Sequence, residues 1–173
     1  MPANFENIAD ELNESIEEEG RDIKFKKGDI LGPINYDCSP SVSYDYLLID
    51  SNSEYSFLNL EINKATSKGF SGLSDSQIYF KHIKKICLSN FKNLTNDKFL
   101  FKIITPNKAL KEIANFIFSQ RLTPEQTPSF IEIILYTEEH KAPRIFGFIG
   151  NLNIIYILCY DPFHKIFNKI GRI

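Results

Sequence analysis

Apolar and polar positions along this chain recur with two periods, three-to-four and two, and the change between them marks out helices and strands. In NFENIADELNESIEEEG, Phe5, Ile8, Leu12 and Ile16 form one narrow apolar stripe that predicts a helix ending near Gly20. Its opposite face is almost all carboxylate, and Glu17, Glu18 and Glu19 crowd the end where the helix dipole is negative. Such a helix is weak alone and is expected to dock on a basic surface of its own body or of a partner. RDIKFKKGDILGP predicts a short strand running into a Gly-Pro turn, and YDCSPSVSYDY a loop. YLLID and YSFLNLEIN predict two strands joined by the polar turn SNSE, and KATSKGFSGL is a flexible connection.

The pattern sharpens further on. SDSQIYFKHIKKICLS opens with Ser74 at an N-cap and Gln77 at the capping-box position, and Tyr79, Ile83, Ile86 and Cys87 give the helix an apolar face. On another face His82 and Lys85 stand three apart, with Lys81 and Lys84 beside them. KFLFKIIT predicts a strand stopped by Pro106, and NKALKEIANFIFSQRL a helix with Leu110, Ile113, Ala114 and Ile117 inward. FIEIILY, RIFGFIG and NIIYILCY predict three strands with short links, hence an antiparallel meander. NIIYILCY is apolar on both faces and is expected to lie centrally. The fold class is α+β: a C-terminal antiparallel meander packed with helices, behind an acidic amphipathic N-terminal helix.

Length makes this one domain, residues 1–173, with residues 1–20 as a docking or regulatory element. Hydrophobic residues at 43% and charged residues at 24% exclude a disordered chain. Cys38, Cys87 and Cys159 are widely spaced without a CxxC pair, so neither a disulfide framework nor a zinc site is indicated, and Cys87 and Cys159 read as buried thiols. The acidic N-terminus lacks signal-peptide features, and no apolar run reaches membrane-spanning length, so a reducing cytoplasm and no membrane partner are expected. Charge is asymmetric. Residues 1–22 carry eight carboxylates against Arg21, while residues 79–111 carry eight lysines against Asp97. A basic body behind an acidic leader suits nucleic-acid binding as well as ordinary solvation.

The chain holds no P-loop, GxGxxG, HExxH or GxSxG, so no cofactor or metal is expected. What remains is a polar constellation at the ends of the meander. If RIFGFIG and NIIYILCY pair across the turn at Gly150–Asn153, Arg144 meets Asp161, and His140, Lys141, His164 and Lys165 share that sheet edge. Cations there could hold a phosphodiester while a histidine moves a proton. The same residues could equally form a clasp, with Arg144 and Asp161 as a salt bridge, Pro162 ending the strand and His164 as packing. The catalytic candidates are His164, Arg144 and Asp161; the substrate-binding candidates are Lys141, Lys165, His140, His82 and Lys85.

APRIFGFIGNLNIIYILCYDPFHKIF and DSQIYFKHIKKI resemble a group of small bacterial and phage proteins that end in arginine and Gly-Phe on one strand, an apolar strand, then Asp-Pro-x-His-Lys. Arg144, Gly147, Phe148, Asp161, Pro162, His164, Lys165 and Phe167 occupy those positions. The ending is also similar to that of RelE/ParE-like toxins, which pack helices on an antiparallel sheet and many of which cut mRNA on the ribosome. That likeness implies an endoribonuclease or RNA-binding effector with RNA or the ribosome as target and a cognate antitoxin as partner. Arg144 would then be a phosphate ligand and His164 a general acid or base. This chain is about twice as long as such toxins and lacks their strong positive charge. The alternative expectation is a non-enzymatic module that binds a host protein through the C-terminal sheet edge.

Overall fold

The computed structural model describes residues 33–65, 68–70, 72–119 and 121–167. The expected acidic helix and the strand following it lie outside the described residues. Among the described residues, three α-helices and five strands build the fold: β1 (Ser41–Ser43), α1 (Asp75–Cys87), α2 (Phe91–Asn96), β2 (Phe101–Ile104), α3 (Lys108–Ile117), β3 (Ser129–Ile134), β4 (Arg144–Ile149) and β5 (Ile154–Asp161). The class is α+β, as the residue pattern indicates. Among the described residues no helix is long and apolar enough to cross a membrane.

The sheet runs β1-β5-β4-β3-β2. β2 to β5 are mutually antiparallel neighbours, and β1 joins β5 in parallel. The three-strand meander expected from the C-terminal third is therefore present, and β5 lies inside the sheet between β1 and β4, as its two apolar faces require, with β4 at the centre. A parallel pairing with a segment some 110 residues away carries no local signal, which is why β1 read as loop.

Alternation sorts side chains onto two cores. Ile131, Ile133, Ile145, Ile149, Ile155 and Ile157 face α1 and α2, which contribute Ile78, Tyr79, Ile86, Phe91 and Leu94. Phe130, Phe146 and Phe148 face α3, which contributes Leu110 and Ala114. A bulge interrupts β5: Phe146 pairs with Cys159 but Gly147 with Ile157, so Leu158 is extra. Leu158 and Cys159 thus both enter the α3 core.

The caps form as the residues direct. Ser74 Oγ accepts from Gln77 N–H, and Gln77 Oε1 accepts from Ser74 N–H at 2.8 Å. Asn90 and Asn107 cap α2 and α3 with one bond each, their Oδ1 atoms accepting from Asn93 N–H and Leu110 N–H.

Residues 46–63 were expected to form two strands and instead form a chain of turns. Serine, aspartate and asparagine recur here every two or three residues and take the backbone amides for themselves. Asp50 Oδ1 accepts from Asn52 N–H, Ser53 Oγ from Tyr55 N–H, Ser56 Oγ from Leu58 N–H and Asn59 Oδ1 from Glu61 N–H. These local bonds compete with a ladder. The segment still packs along the outer side of β5, where Leu48 N–H donates to Leu158 O and Tyr160 N–H to Tyr55 O.

Gly147 sits at the bulge, where an added Cβ would overlap the Tyr156 carbonyl oxygen. Gly147→Ala should therefore cost about 2–3 kcal/mol through forced backbone displacement in a packed sheet. Urea unfolding measures it; an unchanged midpoint would mean that the strands part there without loss.

Candidate functional site

The end of the sheet is assembled by register. Arg144, the first residue of β4, stands opposite both Ile134 of β3 and Asp161, the last residue of β5. The backbone thus brings Arg144 and Asp161 together, as the hairpin implies, but their side chains engage other groups.

Arg144 turns to Glu132, two residues back on β3. Its Nε donates to Glu132 Oε1 at 3.0 Å, Nη1 to the carbonyls of Tyr136 and Pro143 at 2.7 and 3.0 Å, and Nη2 to Thr137 Oγ1 at 2.9 Å. Asp161 closes the turn that follows β5. Its Oδ1 accepts from the amides of Phe163 and Lys165, and its Oδ2 from Ile166 N–H at 2.8 Å. That turn holds His164 at φ 53, the left-handed region. The ring lies against the sheet, with Nε2 3.2 Å from Glu132 Oε1. That contact lies within ion-pair distance but does not complete a hydrogen bond.

All four side chains are withdrawn from water: Glu132, Arg144 and His164 are no more than 5% exposed and Asp161 is 0% exposed. Burial pushes the Glu132 carboxyl up, but His164 and Arg144 more than reverse this and hold it below the usual range. Burial pushes the Asp161 carboxyl up, and its three amide donors offset only part of that rise. The Arg144 guanidinium is pulled down by burial, with Glu132 opposing.

The remaining candidates separate. Lys141 lies on the other face of the sheet, 4% exposed, with Nζ 2.6 Å from Asp75 Oδ2. It also donates to the carbonyls of Ile62 and Lys64. Asp75 is itself 0% exposed and accepts from the hydroxyls of Tyr136 and Tyr160. Burial, then Asp75, pushes the Tyr160 phenol far up. Lys165 stands at the rim, paired with Glu54 at 2.5 Å, both half exposed. His140 projects into solvent, 3.8 Å from Glu139. His82 and Lys85 belong to α1: His82 Nδ1 lies 3.1 Å from Ile134 O, and Lys85 pairs with Asp97 at 2.6 Å. The structure therefore brings Arg144, Asp161 and His164 together and sets Lys141, Lys165, His140, His82 and Lys85 around them on different surfaces. No group of three or more His, Cys, Asp or Glu among the described residues could hold a metal ion.

Two residues at the centre of these clusters, Glu132 and Asp75, were not among the candidates. Glu132 did leave a signal: it is the one charge inside the apolar strand FIEIILY, where a carboxylate needs an internal cation. Asp75 was disguised by its place in the first turn of a helix, where acidic residues are common.

Glu132→Ala or Arg144→Ala should each destabilise by about 3–5 kcal/mol, because each leaves a buried charge unpaired. The double replacement Glu132→Leu with Arg144→Met should recover most of that loss in urea unfolding. A simple sum of the two single costs would show that the pair is uncoupled.

His82 offers a pH test. Burial holds its imidazole below the usual value, outweighing the Ile134 carbonyl, with Lys85 lowering and Asp97 raising it further. The unfolded chain therefore takes up the proton first, so this contribution is full above about pH 6.5 and is lost as pH falls below it. His82→Gln should flatten the drop in urea midpoint between pH 7.5 and 5.5; an unaltered drop would assign it to other groups.

Comparison of the chain with protein-family models, with curated proteins and with solved structures finds no match.

Proposed function

We propose that this protein is a non-enzymatic binding module that captures an extended, acidic segment of a partner protein on the open edge of its sheet. The observation that carries this reading is β2. It is the terminal strand of the sheet, and among the described residues nothing pairs with its outer side. Ile134 N–H donates to Leu100 O, so antiparallel alternation turns the backbone of Lys102 and Ile104 toward β3 and that of Phe101 and Ile103 outward. Phe101 N–H is taken by Asp97 O, which leaves the Ile103 amide and carbonyl facing out.

The rim is apolar and basic. Phe99 is 91% exposed and Ile103 38%. Lys98 and Lys102 flank them. Strand addition gives affinity through backbone bonds and specificity through alternate side chains, and the two lysines favour a partner strand bearing Asp or Glu. The edge strands of natural sheets are normally blunted, and exposed aromatic and aliphatic groups beside lysines here leave it adhesive.

The buried sheet end supports the same reading. General acid–base chemistry needs side chains within reach of a substrate proton. Arg144 and Asp161 spend their polar atoms on the fold, and the His164 ring is buried away from any substrate, so the geometry lends the endoribonuclease expectation no support.

Two measurements test this. Peptides selected on the protein from a random library should alternate apolar residues with Asp or Glu, and Ile103→Pro should weaken them by about tenfold, since it removes the outward amide. Expression in cells should leave bulk RNA intact. RNA loss with the wild type that disappears in His164→Ala would overturn the proposal in favour of a nuclease.

A further inference from the structure

A second surface, away from both the buried clusters and the β2 edge, has the form of a ligand site. α3 carries Lys108, Lys111, Glu112 and Asn115 along one side, and the segment after the helix folds back beside them. Leu122 N–H donates to Asn115 Oδ1 at 3.0 Å and pins that segment to the helix. Between them lies a groove of about 840 Å³, with Phe130 of β3 at its base and Leu122 and Pro124 in its wall. That volume falls within the range of small-molecule sites.

The charge of the groove is one-sided. Lys108 and Lys111 approach from the helix and Arg121 from the facing segment, against Glu112. Glu112 reaches Lys108 only at 3.8 Å, with both side chains largely in solvent, so that pair neutralises little. Among the described residues, no carboxylate pairs with Lys111 or Arg121. Cations on opposite walls suit an anion that spans the groove rather than a single small ion, and a guanidinium suits phosphate in particular. Thr127 and Asn115 add polar groups beside an apolar floor. A bare phosphate would fill only a small part of this space.

We infer that the α3 groove binds a phosphate-bearing nucleotide, its phosphates held between Lys111 and Arg121 and its nucleoside lying toward Leu122 and Pro124. The chemistry is the same whether the nucleotide is free or is the 5′-phosphorylated end of an RNA strand, and the probes distinguish the two. Calorimetric titration of the full chain should detect ADP and ATP, with adenosine or pyrophosphate alone binding more weakly than ADP. A 5′-phosphorylated oligoribonucleotide that binds more tightly than ADP, and loses this advantage without its 5′-phosphate, would place the ligand at an RNA end; the reverse order would place it among free nucleotides.

Lys111→Ala with Arg121→Ala should weaken binding by about tenfold or more, the loss of two charge-assisted contacts. Both side chains are exposed, so the melting temperature should not move. Lys92→Ala, an exposed lysine on α2, should change affinity less than about twofold. Equal weakening by Lys92→Ala would reduce the effect to general surface charge and overturn the site. So would no heat with any probe at about 1 mM, since a nucleotide site weaker than that has no specific contacts to offer.

Discussion

Glu132 is a carboxylate placed in the middle of a strand whose other inward positions are apolar, and it is almost wholly withdrawn from water. An ion in that position must find its counter-charge inside the fold. Arg144 supplies it from the adjoining strand, and the His164 ring, from the turn beyond β5, lies against the same carboxylate oxygen. Each is positioned by bonds that reach outward from the sheet. Arg144 secures the connection between β3 and β4 through Tyr136 and Thr137. His164 is presented only because Asp161 gathers three amides and bends the chain into its left-handed turn. One desolvated charge thus organises three chain segments at one end of the sheet.

The opposite face solves the same problem with different residues. Asp75, at the start of α1, is satisfied by Lys141 and two tyrosines, and Lys141 in turn holds the carbonyls of residues 62 and 64. The connection between β3 and β4 contributes to both arrangements, Tyr136 and Thr137 to Arg144 on one face and Lys141 to Asp75 on the other. The sheet end is therefore locked above and below through a single link. Such doubly committed polar groups add little net stability over hydrophobic residues in their place, and what they supply is one fixed arrangement of loops.

Much of this architecture could be read from residue types. The capping box at Ser74, the period of α3 and the three C-terminal strands are local signals, and local signals survive into the fold. The apolar runs at residues 46–50 and 55–63 misled because burial was read as ladder pairing; these side chains do pack, but their amides bond to neighbouring serines, aspartates and asparagines. The meeting of Arg144 and Asp161 followed from hairpin arithmetic, whereas the direction of each side chain did not. Arg144 reaches diagonally to β3, and Asp161 turns forward to the amides after it. Glu132 was visible as an isolated charge, yet its partners depend on strand order. Asp75 and the pairing of β1 with β5 depend on contacts across most of the chain, which no local window contains.

That last pairing carries a consequence for how the protein is made. Asn35 and Asn153 exchange two hydrogen bonds through the Asn153 carboxamide, 118 positions apart, and β1 meets β5 at nearly the same separation. At ordinary rates of translation the earlier segment leaves the ribosome roughly ten seconds before its partner. Throughout that interval the apolar side chains of residues 42–62 have no sheet to cover, and closing so long a loop is slow even once β5 has emerged. The turns held by neighbouring serines and asparagines give this stretch a local shape while it waits. They keep its amides occupied during the period when a nascent chain is most exposed to pairing with the wrong strand.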